Sequence, residues 1–224
     1  MTRRTWAVVA GAAALVGALV IAFLIGRGQT NTAAPANPTA PAISATDSTS
    51  PSPSAETLPR GCLGGADRTA AAVTKAQADA QHTEVGAAEV AATAFRTLYQ
   101  WPAISPEDAR TLGAQLIAKD APAGFRDLES ARKTYPATAF PKGQPFTVAF
   151  TPGAWAIEDG STHDRVTVTV GAAYVLDGAV SPTQRAAVTY VMTWEDDRWK
   201  IATARMDRTP ESVYEVGQAY TGGC

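Results

Sequence analysis

The chain has 224 residues, a formal net charge of −2, two cysteines and 18% charged residues, against about 25% in ordinary soluble domains. A near-neutral balance excludes a basic nucleic-acid-binding protein on bulk electrostatics, and two cysteines are too few for a zinc finger or an iron–sulfur cluster. The apolar content is 46% but rich in alanine, which suits one core, with room for a membrane segment, rather than two large domains.

Residues 6–25 run without a charge for 20 positions, and a helix of that length spans about 30 Å, the thickness of a bilayer core. Arg3, Arg4 and the free amine precede the run and only Arg27 comes closely after it, which orients the N-terminus to the cytoplasm and the remainder to the outside. A cleavable signal peptide is the rival reading, yet its apolar region should be shorter, about 7–15 residues, and end in a small-residue site. A lipoprotein fits poorly, because Cys62 lies far beyond the run and Arg60 spoils the approach to it. Residues 1–27 are therefore expected to be a cytoplasmic tip and a single-pass anchor. Anchor and signal peptide alike export the rest of the chain.

Residues 28–60 carry Pro35, Pro38, Pro41, Pro51, Pro53 and Pro59 among Ala, Ser and Thr. Such a segment has too little apolar area to offset its ordering entropy and is expected to be a disordered tether. It would reach about 100 Å as polyproline or about 30 Å as a flexible coil, and its composition permits O-glycosylation.

From residue 61 to 224 the composition is globular and mildly acidic. Residues 84–100 place Val85, Ala88, Ala92, Phe95 and Tyr99 at helical spacing, closed by Pro102. Ser105 is an N-cap followed by Pro106 and by Glu107 and Asp108 in the first turn of a second helix carrying Leu112, Leu116 and Ile117. A third is expected from Pro122, with Phe125 and Leu128, stopping before Pro136. The period then changes. Short strands are expected at 146–150 and 154–157 around Pro152-Gly153, and residues 163–176 alternate, with Val166, Val168, Val170, Ala172, Tyr174 and Leu176 on one face. Residues 184–195 repeat the alternation, Asp196-Asp197 reads as a tight turn, and 198–205 return as a strand with Trp199 and Ile201 inward. Helices first and antiparallel strands afterwards define an α+β domain, its helices expected on one curved face of the sheet.

Cys62 and Cys224 bracket this domain, each beside glycines, and outside the cytoplasm they are expected to pair. Two free thiols, or a bond to a partner chain, are the alternatives. Chemistry is otherwise sparse. No Gly-x-Ser-x-Gly is present, and His82 and His163, the only histidines, have no evident Ser or Cys partner and do not by themselves make a tetrahedral metal site. The stretch Asp159-Gly160-Ser161-Thr162-His163-Asp164 reads as a solvated turn. Asp177, Glu195 and Asp207, with Tyr99, Tyr174 and Tyr190, would be the acids and partners of an enclosed polar pocket, yet each acid also reads as a turn or strand end. No catalytic, cofactor-binding or metal-binding residue is therefore assigned. Among the tryptophans Trp101, Trp155, Trp194 and Trp199, the last two read as a cross-strand core pair, while Trp155, Tyr214 and Tyr220 are the interface expectations.

The start Gly61-Cys62-Leu63-Gly64-Gly65, the run Phe95-Arg96-Thr97-Leu98-Tyr99-Gln100-Trp101-Pro102, Asp120-Ala121-Pro122 with Phe125-Arg126-Asp127-Leu128, Pro152-Gly153-Ala154-Trp155, the strand from Val166 into Asp177-Gly178 and the ending Tyr220-Thr221-Gly222-Gly223-Cys224 together carry a resemblance. The chain resembles membrane-anchored proteins of actinobacterial integrative conjugative elements, which look like the bitopic scaffold component of type IV secretion and conjugation systems. That resemblance implies a cone related to nuclear transport factor 2, a non-enzymatic assembly role, self-association and contacts with other envelope subunits of a transfer apparatus. It carries no catalytic residues, and an acidic domain of this kind is not expected to bind nucleic acid directly. Two alternatives stand beside it: an extracytoplasmic small-molecule enzyme or binding cone, and an accessory protein of a cell-envelope lipid-transport system.

Overall fold

The computed structural model describes residues 58–224, in the order α1 (Ala70–Asp79), α2 (Glu84–Leu98), α3 (Pro106–Gln115), α4 (Ala123–Arg126), α5 (Leu128–Ala131), β1 (Thr147–Ile157), β2 (Arg165–Leu176), β3 (Ala179–Glu195), β4 (Arg198–Arg205), α6 (Pro210–Val216) and β5 (Gln218–Ala219). The anchor expected at 6–25 and all but the end of the tether expected at 28–60 lie outside the described residues. Among the described residues no helix is long and apolar enough to cross a membrane. The strands form one antiparallel sheet in the order β4-β3-β2-β1-β5, so the domain is α+β.

Alternation governs the sheet. Val166, Val168, Val170, Ala172 and Tyr174 of β2 share one face and are buried beneath the helices, while Leu176 at the strand end is half-buried. Both hairpins close on two consecutive left-handed residues, Asp177 (φ 51°) with Gly178 (φ 78°), and Asp196 (φ 52°) with Asp197 (φ 58°). That backbone has the twist a two-residue hairpin needs. Closure at Asp177-Gly178 starts β3 earlier than its alternation suggests, at Ala179 paired with Leu176. The two short strands expected around Pro152-Gly153 are one strand. Its register steps from Ala149↔Ala173 to Gly153↔Ala172, so Phe150, Thr151 and Pro152 bulge out and pairing then resumes. The outer edge of β4 is covered, because Ile201 donates its N–H to Leu116 O (2.8 Å) and Ala118 donates to Ile201 O (3.0 Å).

The helices follow their caps. Thr83 Oγ1 accepts from Gly86 N (3.1 Å) to open α2, and Ser105 Oγ accepts from Asp108 N (3.0 Å) to open α3. The single helix expected after Pro122 is instead α4 and α5. Asp127 leaves helical geometry at φ −84°, ψ 69°, and its carboxylate caps the second piece at Ser130 N (2.9 Å). Two helices add to the expected set: α1, and α6 on the opposite face of the sheet. Val213 of α6 packs with Ala154 and Ala187, and a Cβ on Gly171 between them would stand 3.0 Å from the Tyr214 ring. Helices therefore cover both faces, the larger layer on one and α6 on the other.

One face of α2 is polar although it is buried. Glu89, Thr93 and Arg96 lie one and two turns apart and hold the incoming segment 60–67 by its backbone. The Glu89 carboxylate accepts the N–H groups of Arg60, Gly61 (3.1 Å) and Leu63 (3.3 Å). Thr93 donates to Leu63 O (2.8 Å), and Arg96 donates to Gly65 O and Asp67 O. Beside them Thr221 N donates to Pro59 O (3.0 Å), and Tyr220 packs on Phe150 with ring centroids 4.8 Å apart. Gly61, at φ 75°, sits where a Cβ would meet Phe150 and Tyr220 at about 3 Å. Here the expected disulfide forms: Cys62 bonds to Cys224 with Cα atoms 5.4 Å apart, and no described cysteine is free. For a loop closing 162 residues of sequence separation, the chain-entropy model gives an upper bound of about 5 kcal/mol. Reduction, or Cys224→Ala, should lower the denaturant midpoint by an amount equivalent to about 2–5 kcal/mol; an unchanged midpoint would show that the bond adds nothing to contacts already made.

Candidate functional site

The space between helices and sheet is filled with rings. Phe95 and Tyr99 (centroids 4.9 Å apart), Tyr99 and Phe146 (5.6 Å), Phe146 and Tyr174 (5.4 Å) and Phe140 and Tyr174 (4.6 Å) form a continuous aromatic cluster. Two of its hydroxyls satisfy each other, Tyr99 and Tyr174 at 2.9 Å, and Tyr99 also reaches Pro136 O (3.2 Å). Burial pushes the phenols of Tyr99, Tyr174 and Tyr190 up, so all three stay neutral at physiological pH.

The acids expected as their partners are elsewhere. Asp177 is the exposed first residue of a hairpin turn. Glu195 accepts from Lys119 N (3.3 Å) and lies 3.8 Å from Lys200. Asp207 accepts from Thr189 Oγ1 (2.9 Å) and pairs with Arg205, whose hydrogen bond, against a smaller desolvation, holds it below the usual carboxylate range. Thr189 also meets Thr169 (2.9 Å), which meets Glu158 (2.6 Å), itself paired with Arg208. Desolvation opposes ionisation of Glu158, but the hydrogen bonds from Arg208 and Thr169 outweigh it and its pKa falls. Glu158 and Asp207 thus stand on the α6 side of the sheet as ionised partners of arginine. A proton-accepting acid raised by an apolar pocket is a different environment. An open groove of about 580 Å³ lies between α1 and α3, lined by Thr74, Lys75, Glu107, Asp108 and Gln115 among others, and includes none of the three acids.

Of the three residues expected at an interface, two are buried within the domain and one is half-buried. Trp155 and Tyr220 are 6% and 8% exposed and belong to the core, since Trp155 faces the helices beside Val170 and Tyr220 closes over Phe150. Tyr214 is half-buried, under Arg185 at 3.9 Å from the ring centroid, and donates to Pro152 O (3.1 Å). Burial raises its phenol to about 12. Trp194 and Trp199 do form the cross-strand pair, opposite each other with centroids 5.3 Å apart.

That pair organises a site that no local motif announces. The two histidines, far apart in the chain, meet: His82 and His163 have ring centroids 3.8 Å apart. His82 stacks on Trp194 at 4.1 Å and 8° between planes, and its Nε2 lies 3.0 Å from Asp164 Oδ1. The supports are local. Trp199 Nε1 donates to Gln81 O (2.9 Å), fixing the turn before α2, and Gln77 donates to Trp199 O (2.8 Å). Trp194 N donates to Asp164 O (2.9 Å), fixing the loop between β1 and β2. That loop is the expected turn, closed by Thr162 N to Arg165 O (2.8 Å) with Gly160 at φ 81°. Gly86 permits the other: a Cβ there would stand 2.0 Å from Gln81 O. Imidazole, imidazole and carboxylate are a set of donors suited to a divalent transition metal.

No protein-family model, no curated protein and no solved structure matches this chain.

Gly86→Ala, which in an open helix gains about 1 kcal/mol, should here destabilise the domain, read as a lowered melting temperature. Acid behaviour is set partly at the neighbouring hairpin. Hydrogen bonds from Lys200 (2.7 Å) and Lys119 (3.0 Å) and their charges hold Asp196 at about 2. A carboxylate depressed in the folded state stabilises above its unfolded value of about 4, and that contribution is lost as pH falls through the folded value. A carboxyl NMR titration should place the Asp196 midpoint at about 2, and Asp196→Asn should reduce the steepness of acid destabilisation between about pH 4 and about pH 2.

Proposed function

We propose that the chain is a non-enzymatic, membrane-anchored structural subunit of a conjugative DNA-transfer apparatus, residues 6–25 holding it in the membrane and residues 61–224 standing outside the cell as a cone of the nuclear transport factor 2 type. The observation that carries the reading is the filled interior. Phe95, Tyr99, Phe140, Phe146 and Tyr174 occupy the space in which a small-molecule cone would hold its ligand, which favours assembly over catalysis. The Cys62–Cys224 bond supports an oxidising compartment, in keeping with an exported domain. Specificity for the transfer apparatus comes from the sequence resemblance. In this reading the subunit contacts itself and other envelope components and builds a conduit that DNA passes without being read by this acidic domain.

The decisive experiment is an in-frame deletion in the native host. Transfer frequency should fall by orders of magnitude and be restored by the wild-type gene, with in-cell crosslinking capturing other envelope subunits of the apparatus. Unchanged transfer would overturn the proposal, and crosslinks to lipid-import components would move the chain to the lipid-transport alternative.

A further inference from the structure

We propose that His82, His163 and Asp164 form a binding site for zinc, with solvent completing the coordination. Both histidines of the chain converge here from segments 81 residues apart in sequence, and the donor atoms of the three residues lie within 4.8 Å of one another. His82 Nε2 is shielded from water and has no hydrogen-bond partner, with Asp164 Oδ1 at 3.0 Å. That leaves a buried ring nitrogen unsatisfied beside a carboxylate. Tetrahedral bonds of about 2.0–2.2 Å from zinc to nitrogen and oxygen hold two donors about 3.4 Å apart, a few tenths of an ångström wider than the 3.0 Å between Nε2 and Oδ1.

The His82 ring and the backbone that carries the other donors are held in place. Stacking on Trp194 sets the plane of the His82 ring, the Trp199 indole pins the preceding carbonyl of Gln81, and the Trp194 backbone pins the carbonyl of Asp164. His163 is exposed apart from its contact with the His82 ring, and Asp164 is exposed as well, so both can turn toward an ion by side-chain rotation. Arg165, the nearest cation along the chain, is turned to Asp120 (3.4 Å) and leaves the Asp164 carboxylate to the site. With both cysteines in the disulfide, no thiolate among the described residues competes for the metal.

The test uses the full chain, purified without a polyhistidine tag. Copper(II), which binds nitrogen and oxygen donors more tightly than zinc, is the optical probe, because it quenches the indole stacked on His82. Titration with CuCl2 should quench tryptophan emission saturably at one equivalent, excess ZnCl2 should reverse the quenching, and ZnCl2 alone should raise the melting temperature. His163→Ala removes an exposed ring that touches only His82 among the described rings, and should lower the metal-free melting temperature only slightly. It should weaken both metals by more than about tenfold, the scale of loss that even an outer-shell change produces. Asp164→Asn should do likewise. Absence of saturable binding by the wild type, or equal binding by His163→Ala, overturns the site.

Discussion

The arrangement of this domain depends on the buried polar face of α2. A helix in the middle of a fold normally presents apolar side chains all round, and α2 does so toward the sheet through Val90, Phe95 and a series of alanines. Its other side carries Glu89, Thr93 and Arg96, which would be costly in an apolar setting and are compensated by backbone donors and acceptors of residues 60–67. The exchange is mutual. That extended segment has no ladder of its own, so α2 satisfies its backbone while the segment supplies N–H donors to Glu89 and two carbonyls to Arg96 Nη2, leaving Arg96 Nε and Nη1 without partners. Arg68 continues the pattern, reaching Arg96 O (3.2 Å) and Val148 O (2.9 Å) and so tying the segment to β1 as well. Burial and the neighbouring Arg96 lower Arg68 to about 10, still leaving it charged at neutral pH.

Once the segment lies on α2, the C-terminal tail has only one place to go. Tyr220 covers Phe150, Thr221 pairs with Pro59, and Thr151 at the bulge of β1 donates to Gly222 O (2.9 Å). The bulge thus does two jobs: it interrupts the β1–β2 register and exposes the groups to which the tail and Tyr214 attach. On the far side of the domain the Trp194–Trp199 hairpin plays the comparable part, gathering the turn before α2 and the loop before β2 against one indole pair. The two ends of α2 are therefore fastened by different means, charge and backbone at one and aromatic stacking at the other.

Much of the sheet is legible in the sequence because period-two burial and left-handed Asp and Gly turns are local properties. The caps at Ser105 and Thr83 are local too, although only Ser105 is conspicuous, helped by the Pro106 and acidic residues behind it. The features hidden from the sequence depend on distant neighbours. An alanine-rich stretch such as α1 has a weak apolar stripe, and only its packing on α2 and β4 makes it a helix. Seven-residue α6 does carry a local signal, Thr209 capping Ser212 N with Pro210 and Glu211 behind it, and what depends on a distant neighbour is its seat on the sheet, where Gly171 leaves room for Tyr214. Trp155 reads as a surface aromatic because it follows Pro152-Gly153, and Tyr220 because it lies near the end, yet both are buried, Tyr220 where distant Gly61 leaves room for its ring beside Phe150. His82 sits in an unremarkable Gln-His-Thr turn and His163 in a polar loop, and nothing local marks them as neighbours.

The covalent link between Cys62 and Cys224 also defines how force would pass through the molecule. Tension applied to the chain ahead of Cys62 and resisted at Cys224 runs through one sulfur–sulfur bond, bypassing the hydrogen-bonded ladders of the sheet and the packing of α2. All 162 positions of separation between the two cysteines are a closed ring under such a pull, unable to lengthen by unravelling. Such a pull strains the bonds from the Arg60 and Gly61 N–H groups to Glu89 in either state, and only with the disulfide reduced does it run on to Leu63 and the residues behind it. Oxidation state thus selects between an inextensible connector and one that yields from its ends.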